Sequence, residues 1–498
     1  MITDLLHSIF TIGNIIMMNV GLAAGIIIGA LPGLNVIFAI AVLLPFTFNM
    51  GSIAGMYLLL GAYCGATYGG SISAILINTP GTPSACATML DGYPLAQKGR
   101  AGDALNTALI GSTFGGMISC FALLFFAPML ASVALKITSP EYFALCVFGL
   151  TAVIGVSGDK VIKGLIMAVI GLLISTVGID VSEGVPRFMF GDMHLLAGLN
   201  PATVMLGMFA LSEILVKSQE VYGQSSDLKD AIIFKKAAIK LRDIFKYWKT
   251  MIKSSIIGVI IGAIPGTGGA ISAMFSYSEA RRSSKHPEEF GKGSIEGILA
   301  PEVGNNAVTG ATLIPLLTLG IPGDAAVAVM LGALTMQGIT PGTALFSSGN
   351  IWVYAIMGGL VLINIFMLLQ GSVFIRGFAN ITRVPTVMLL PCIMILCVIG
   401  SFALSNTMFE VFVMAGFGLF GYIMKKMDFP IAPLTIGLVL GTLTETNLRR
   451  SLMLSHGNPM IFLNRPISAA ILALSMLLLF TPLIKKFMEK RKAAKAVA

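Results

Sequence analysis

One uncharged stretch of this 498-residue chain is crowded with hydroxyl, amide and glycine residues: Gly61-Ala-Tyr-Cys-Gly-Ala-Thr-Tyr-Gly-Gly-Ser-Ile-Ser-Ala-Ile-Leu-Ile-Asn-Thr-Pro-Gly-Thr-Pro-Ser84. Pro80 and Pro83 cannot continue a helix, because each lacks an N–H and clashes with the preceding turn. Broken backbone at membrane depth survives only where protein buries it or where it lines a water-filled cavity. A break also frees helix N-terminal N–H groups, which carry partial positive charge and bind anions. Thr79, Thr82 and Ser84 add hydroxyl donors suited to a carboxylate. With Ser71, Ser73, Asn78, Pro80 and Gly81 they make a candidate anion site.

A second break, Leu319-Gly-Ile-Pro-Gly323, is followed by Asp324, and Pro301-Glu-Val-Gly-Asn-Asn-Ala-Val-Thr309 lies upstream. Ionisable residues inside a membrane segment are costly and tend to be functional. Glu302, Asn305, Asn306, Thr309 and Asp324 offer hard oxygen ligands for a coupling sodium ion, or a proton site. Pro322 and Gly323 join the anion set. Gly29-Ala-Leu-Pro-Gly33 with Asn35, and Gly262-Ala-Ile-Pro-Gly266 with Thr267 and Gly268, supply two further backbone termini.

Plainer roles compete for several of these residues. Stripes of small residues are the usual packing surface of membrane helices. Asp324 can serve as a helix N-cap. Glu213, beside a basic connector, reads as a solvated charge, and Tyr63 and Tyr68 read as interface anchors. Gly65 to Gly70 lacks the GK[ST] end of a phosphate loop. His7, His194, His286 and His456 are scattered, with no HExxH, and the six cysteines form no CxxC pair. Neither disulfides, a zinc site nor any cofactor beyond a co-transported sodium ion is expected. An intramembrane lipid enzyme needs a base at depth, and no histidine lies well inside an apolar segment. A passive channel is the other alternative reading.

The elements that carry these residues follow from composition. Hydrophobic residues make up 56% of the chain and charged residues 11%, against roughly 45–50% and 25% in soluble chains. Apolar runs such as Val161–Gly178 and Ile467–Leu483 recur along the length. About 20 helical residues cross the hydrocarbon core, so the chain reads as an all-α polytopic membrane protein of about 12–15 segments. Val36–Phe48 is too short to span and reads as half a hairpin. The net charge of +9 sits in short loops and the C-terminal tail. That is a topology signal and implies no nucleic acid. Met1–Phe10 has no basic n-region and no cleavage site, which predicts an uncleaved first segment.

Three landmarks occur twice in the same order. Gly29-Ala-Leu-Pro-Gly33 recurs as Gly262-Ala-Ile-Pro-Gly266, and Leu76-Ile-Asn-Thr-Pro-Gly81 as Leu319-Gly-Ile-Pro-Gly323. Pro201-Ala-Thr-Val-Met-Leu with Ser212-Glu213 recurs as Pro433-Leu-Thr-Ile-Gly-Leu with Thr444-Glu445. The spacing predicts a first repeat over 1–217, a basic connector over 218–253, a second repeat over 254–447, and an external loop, final helix and tail over 448–498. Basic loops alternate between the halves. Lys98 and Arg100 have no basic counterpart in 337–349, whereas Arg281, Arg282, Lys285 and Lys292 have none in Phe46–Ser52. Lys425-Lys426 likewise answers the net-acidic Gly178–Asp192. Under the positive-inside rule the repeats are inverted, as in secondary transporters. The N-terminus is then outside, and the connector Lys217–Lys253 and tail Lys485–Lys495 are cytoplasmic. Arg449, Arg450 and Arg465 break the rule: either they are misassigned or they have a task on the outer face.

The stretches Gly29–Leu34, Gly61–Ser84 with Asp91-Gly-Tyr-Pro94, Gly262–Ser276 and Gly297–Gly342 resemble the large membrane subunit of tripartite tricarboxylate transporters (TctA-like). The likeness spans nearly the whole chain, and Asn78–Pro83 is its most specific part. It implies import of citrate or a related carboxylate across the bacterial inner membrane, driven by an ion gradient. It also implies a periplasmic solute-binding protein and a small membrane subunit as partners. The sequence has no ATP-binding motif, which agrees with secondary transport.

Overall fold

The computed structural model describes residues 2–48, 50–135, 137–156, 160–180, 183–222, 239–346, 351–381 and 386–480. The expected tail Lys485–Lys495, residues 481–483 of the final helix and 223–238 of the connector lie outside them.

Helices dominate. The first run is α1 (Ile2–Ile9), α2 (Ile12–Gly29), α3 (Val36–Leu43), α4 (Ser52–Ile77), α5 (Ala85–Leu95), α6 (Ala101–Ala134), α7 (Ser139–Val156) and α8 (Val161–Ile174). A two-residue antiparallel hairpin follows, β1 (Gly178–Ile179) against β2 (Pro186–Arg187). Next come α9 (Pro201–Met205) and, beyond a π-helical turn, α10 (Ser212–Tyr222). The second run is α11 (Leu241–Ile244), α12 (Trp248–Ala263), α13 (Gly268–Ser283), α14 (Ile295–Ala311), α15 (Leu313–Leu319), α16 (Ala325–Met336), α17 (Ile351–Ile381), α18 (Thr386–Ser405), α19 (Met408–Lys426), α20 (Ala432–Leu454) and α21 (Ile461–Asn464). A final apolar helix covers Pro466–Phe480.

Among the described residues six helices are long and apolar enough to cross a membrane, and five shorter apolar helices accompany them. Large apolar side chains stand on the outside, among them Phe125 (82% exposed), Val373 and Ile162. A face of that kind is stable against lipid and not against water, so the chain is a multi-pass membrane protein. Val36–Phe48 is short, as expected: α3 gives way to a 3-10 turn at Leu44–Thr47. The expected segment limits at 217, 254 and 447 do not coincide with helix ends. They fall inside α10, α12 and α20, because helices run on where the sequence landmarks stop.

Glycine sets the closest packing. A methyl group added at Gly21, Gly25 or Gly29 of α2 would fall 2.1–2.4 Å from the carbonyl oxygens of Leu58, Ala62 and Ala66 on α4. α12 meets α14 in the same manner: a methyl at Gly258 would lie 2.5 Å from the Gly304 carbonyl oxygen. In lipid, where no hydrophobic drive joins helices, such backbone approach supplies the contact energy. It also encloses α14, whose residues from Glu296 to Ala311 are all buried, among α4, α5, α6, α12 and α13.

Helices stop where the sequence predicts. α4 ends at Asn78 in the left-handed conformation (φ 54°). α15 ends at Gly320 (φ 72°), a left-handed conformation that glycine adopts without steric cost. Asn35 caps α3 by accepting from Phe38 N at 2.9 Å, and Asp324 caps α16 by accepting from Val327 N at 2.8 Å.

Candidate functional site: where the broken helices meet

Three of the four breaks converge at the start of α13. The Gly266 amide donates to the Gly323 carbonyl at 2.7 Å, joining the α12–α13 break to the α15–α16 break. Gly268 faces Asp324: a Cβ there would lie 4.0 Å from the Asp324 Cβ. A Cβ on Gly269 would lie 2.3 Å from Asn305 Oδ1 and 3.7 Å from Ser84 Cβ, so the α4–α5 break arrives at the same point. The start of α13 therefore lies between Ser84, Asn305 and Asp324, and its first two residues, Gly268 and Gly269, carry no side chain of their own.

The α4–α5 break is threaded tightly. Gly81 donates its amide to the Gly70 carbonyl at 3.2 Å, and a Cβ on Gly81 would fall 1.9 Å from the Gly29 carbonyl oxygen. Thr82 and Ser84 are buried, with hydroxyls 3.1 Å apart. The other residues expected here do not join that centre. Asn78 is exposed, Thr79 bonds the Ile77 carbonyl at 3.3 Å, Pro80 is half-buried, and Ser73 bonds the Gly70 carbonyl at 3.3 Å. Thr267 turns back to the Ile264 carbonyl at 2.9 Å, and Pro322 is buried.

Two carboxylates sit beside this junction. Tyr63 of α4 donates to Asp324 Oδ2 at 2.9 Å, and its hydroxyl lies 3.2 Å from Thr312 Oγ1. Glu302 of α14 is 0% exposed and is held by three hydroxyls from three helices. Ser71 of α4 and Thr88 of α5 donate to Oε1, the latter at 2.5 Å, and Ser112 of α6 donates to Oε2 at 2.7 Å. Ser71 thus serves Glu302. Asn305 reaches the Thr67 carbonyl at 3.5 Å, while Asn306 and Thr309 bond carbonyls of their own helix at 3.0 and 2.8 Å. Tyr68 is buried with an unpartnered hydroxyl.

Tyr63 and Tyr68 are 3% and 0% exposed, which corrects their reading as interface anchors. α4 is enclosed by helices, so its aromatic residues face protein. Thr88, Ser112 and Thr312 escaped the sequence reading. Each is one hydroxyl on an apolar helix, and nothing local marks its long-range partner.

Charge concentrates elsewhere. Glu213 is not a solvated charge: it pairs with Lys425 at 2.5 Å, with the side chains 15% and 24% exposed. The π-helical turn before α10 packs on α19 and brings Glu213 onto Lys425. Arg449 pairs with Glu445 at 2.8 Å, Asp180 at 3.0 Å and Glu183 at 3.2 Å, and Arg465 pairs with Glu141 at 3.2 Å. Two of the three arginines that break the loop-charge rule are therefore neutralised by acidic partners. Arg187 meets Glu445 at 2.7 Å, and that bond holds its guanidinium above its ordinary pKa.

Known proteins give the same direction. The model of the tripartite tricarboxylate transporter TctA family matches residues 15–436. An uncharacterized 52.8 kDa protein in the TAR-I ttuC' 3'region of Agrobacterium vitis is 39% identical over 478 residues, covering 96% of this chain and 95% of the relative. An uncharacterized protein in the TAR-II ttuC' 3'region of the same organism is 35% identical over 234 residues, covering 47% of this chain and 97% of the relative. No solved structure matches the chain. A match over most of the sequence, on a predominantly helical membrane fold with its breaks at the expected prolines and glycines, makes this chain a member of the tripartite tricarboxylate transporter TctA family.

Proposed function

We propose that the chain is the membrane subunit of a binding-protein-dependent secondary transporter that imports citrate or a related carboxylate across the bacterial inner membrane. A periplasmic solute-binding protein delivers the anion, and a small membrane subunit completes the complex. The observation that carries this reading is the meeting of Gly266–Gly269 with Ser84 and Asp324. Helix N-terminal amides at two glycines, close to the Ser84 side chain, suit a carboxylate. Asn35, Ser71, Ser73, Asn78, Thr79, Pro80, Gly81, Pro322 and Gly323 complete the broken frame. Glu302, Asn305, Asn306, Thr309 and Asp324 supply oxygens for a coupling sodium ion or proton.

The halves act as inverted repeats, with the N-terminus periplasmic and the C-terminus cytoplasmic. The course of the equivalent helices supports this. Pro201, where α9 begins, lines the same cavity as Glu445, which lies far along α20. Glu213, toward the other end of the continuous helical run Pro201–Gln219, pairs with Lys425, which lies just before α20 begins. The two helices thus run in opposite directions between the same two ends.

Reconstitution with the binding protein and small subunit tests the reading. Citrate-class uptake should follow an imposed sodium or pH gradient. Uptake indifferent to both gradients would overturn the coupling, and no uptake of any carboxylate would overturn the whole assignment.

A further inference from the structure

Arg187 borders a partly open cavity of about 460 Å³ lined by the end of α8, the β1–β2 hairpin, the segment from Leu196 to Pro201, Thr335 of α16, and α20. That volume falls in the range of small-molecule sites, roughly 300–1,000 Å³. The guanidinium holds Glu445 in a fork, Nη1 to Oε1 at 2.7 Å and Nη2 to Oε2 at 3.1 Å. Its Nε is buried and has no hydrogen-bond partner. A guanidinium presents five donors in one plane, and an orphaned buried donor is costly. Glu445 satisfies only the outer edge of the fork.

The local charge balance decides how another anion could enter. Arg187 and Arg449 share Asp180, Glu183 and Glu445, which leaves one net negative charge. A further anion is not drawn onto that set as it stands. It must replace a carboxylate already there. Asp180 is 5% exposed and cannot leave readily. Glu445 is 26% exposed and lines the cavity itself.

We propose that this cavity is a carboxylate-exchange site. A small di- or tricarboxylate takes the Arg187 fork, including the orphaned Nε, and Glu445 swings aside while keeping Arg449. Thr442 and Thr446, one helical turn apart on α20 and both lining the cavity, provide hydroxyls for a second carboxyl group. The ligand class is read from Glu445, which is the carboxylate Arg187 now holds. Only the choice of test anion rests on the proposed transport activity. The site is separate from the junction at Gly268, and an anion can be held here independently of translocation.

Hydrogen–deuterium exchange on the full chain in nanodiscs, titrated with citrate at constant ionic strength, tests the proposal. Citrate should protect the segment 183–200, whereas its neutral trimethyl ester and matched chloride should not. Glu445→Gln removes the competitor and should tighten the citrate response about tenfold. Arg187→Gln should abolish it, and Arg187→Lys should weaken it, because an ammonium lacks the planar fork. No protection in either the wild type or Glu445→Gln at saturating citrate overturns the site. So does an equal response to chloride, or weaker binding by Glu445→Gln. Should Arg187→Gln fail to fold, the Glu445→Gln arm alone decides. Ser84→Ala separates the two readings. Lost uptake with protection intact leaves this site standing, and uptake without protection at 183–200 removes this site and leaves the transport reading.

Discussion

Tyr63 donates its hydroxyl proton to Asp324 at 2.9 Å, a bond between residues 261 positions apart. It ties the long buried helix α4 to the break that opens α16. Asp324 Oδ1 is already used as the cap of α16, so Tyr63 is what fixes the second oxygen. The aspartate is thereby both a cap and a link between the halves.

That arrangement gives a direct prediction. Tyr63→Phe removes one hydrogen bond to an acidic group, worth about 1.5–3 kcal/mol. Carboxylate uptake should fall at least about tenfold, with the protein still inserted in the membrane. Initial-rate uptake in proteoliposomes, normalised to incorporated protein, is the measurement. Unchanged uptake with only a lower melting temperature would make the bond purely structural.

Glu302 should separate charge from shape. Glu302→Gln keeps the oxygen that accepts from Ser71 and Thr88 and turns an amide NH2 to Ser112, whose hydroxyl can accept instead of donate, so the protein should fold and insert. The response of uptake to an imposed ion gradient should disappear. Glu302→Ala leaves three buried hydroxyls without their acceptor and should cost several kcal/mol, at about 1–3 for each unsatisfied group. Full gradient response in Glu302→Gln would remove this residue from the coupling site.

Helix packing offers a contrast between two glycines of one helix. A side chain at Gly25 meets Ala62 backbone atoms at 2.4–2.9 Å, whereas one at Gly13 meets nothing within 4 Å. Gly25→Val should separate α2 from α4 and reduce the folded yield sharply, as overpacking costs about 1–3 kcal/mol or more. Gly13→Ala should be silent. Fluorescence-detected size exclusion distinguishes them, and similar profiles for both variants would contradict the close approach.

The Glu213–Lys425 pair should behave as a partly buried ion pair. Either single change to glutamine leaves one charge unpaired and should cost about 1–3 kcal/mol, between the values for exposed and buried pairs. The double variant should recover part of that loss. A double-mutant cycle by thermal melting reads the coupling, and zero coupling would show that the contact contributes nothing.

Several features were legible in the sequence because they rest on local chemistry. Apolar runs of spanning length require a membrane, since no other solvent accepts side chains such as Phe125 on the outside. Clustered prolines and glycines within 31–33, 78–83, 264–268 and 320–323 stop helices where single ones such as Pro301 or Gly25 do not, and all four breaks are present. The matching order of landmarks and the family likeness are also properties of the sequence alone. Which polar groups pair is not. An enclosed helix such as α14 is buried on every side, so it carries no amphipathic stripe to say which face meets which neighbour. Only tertiary packing brings Ser71, Thr88 and Ser112 from three helices onto Glu302, and Arg187 onto Glu445. The same packing turned Tyr63 and Glu213, read singly as an anchor and a solvated charge, into links between distant parts of the chain. Burial removes water as a partner, so each polar group takes the nearest complementary one, and distance in space decides which that is.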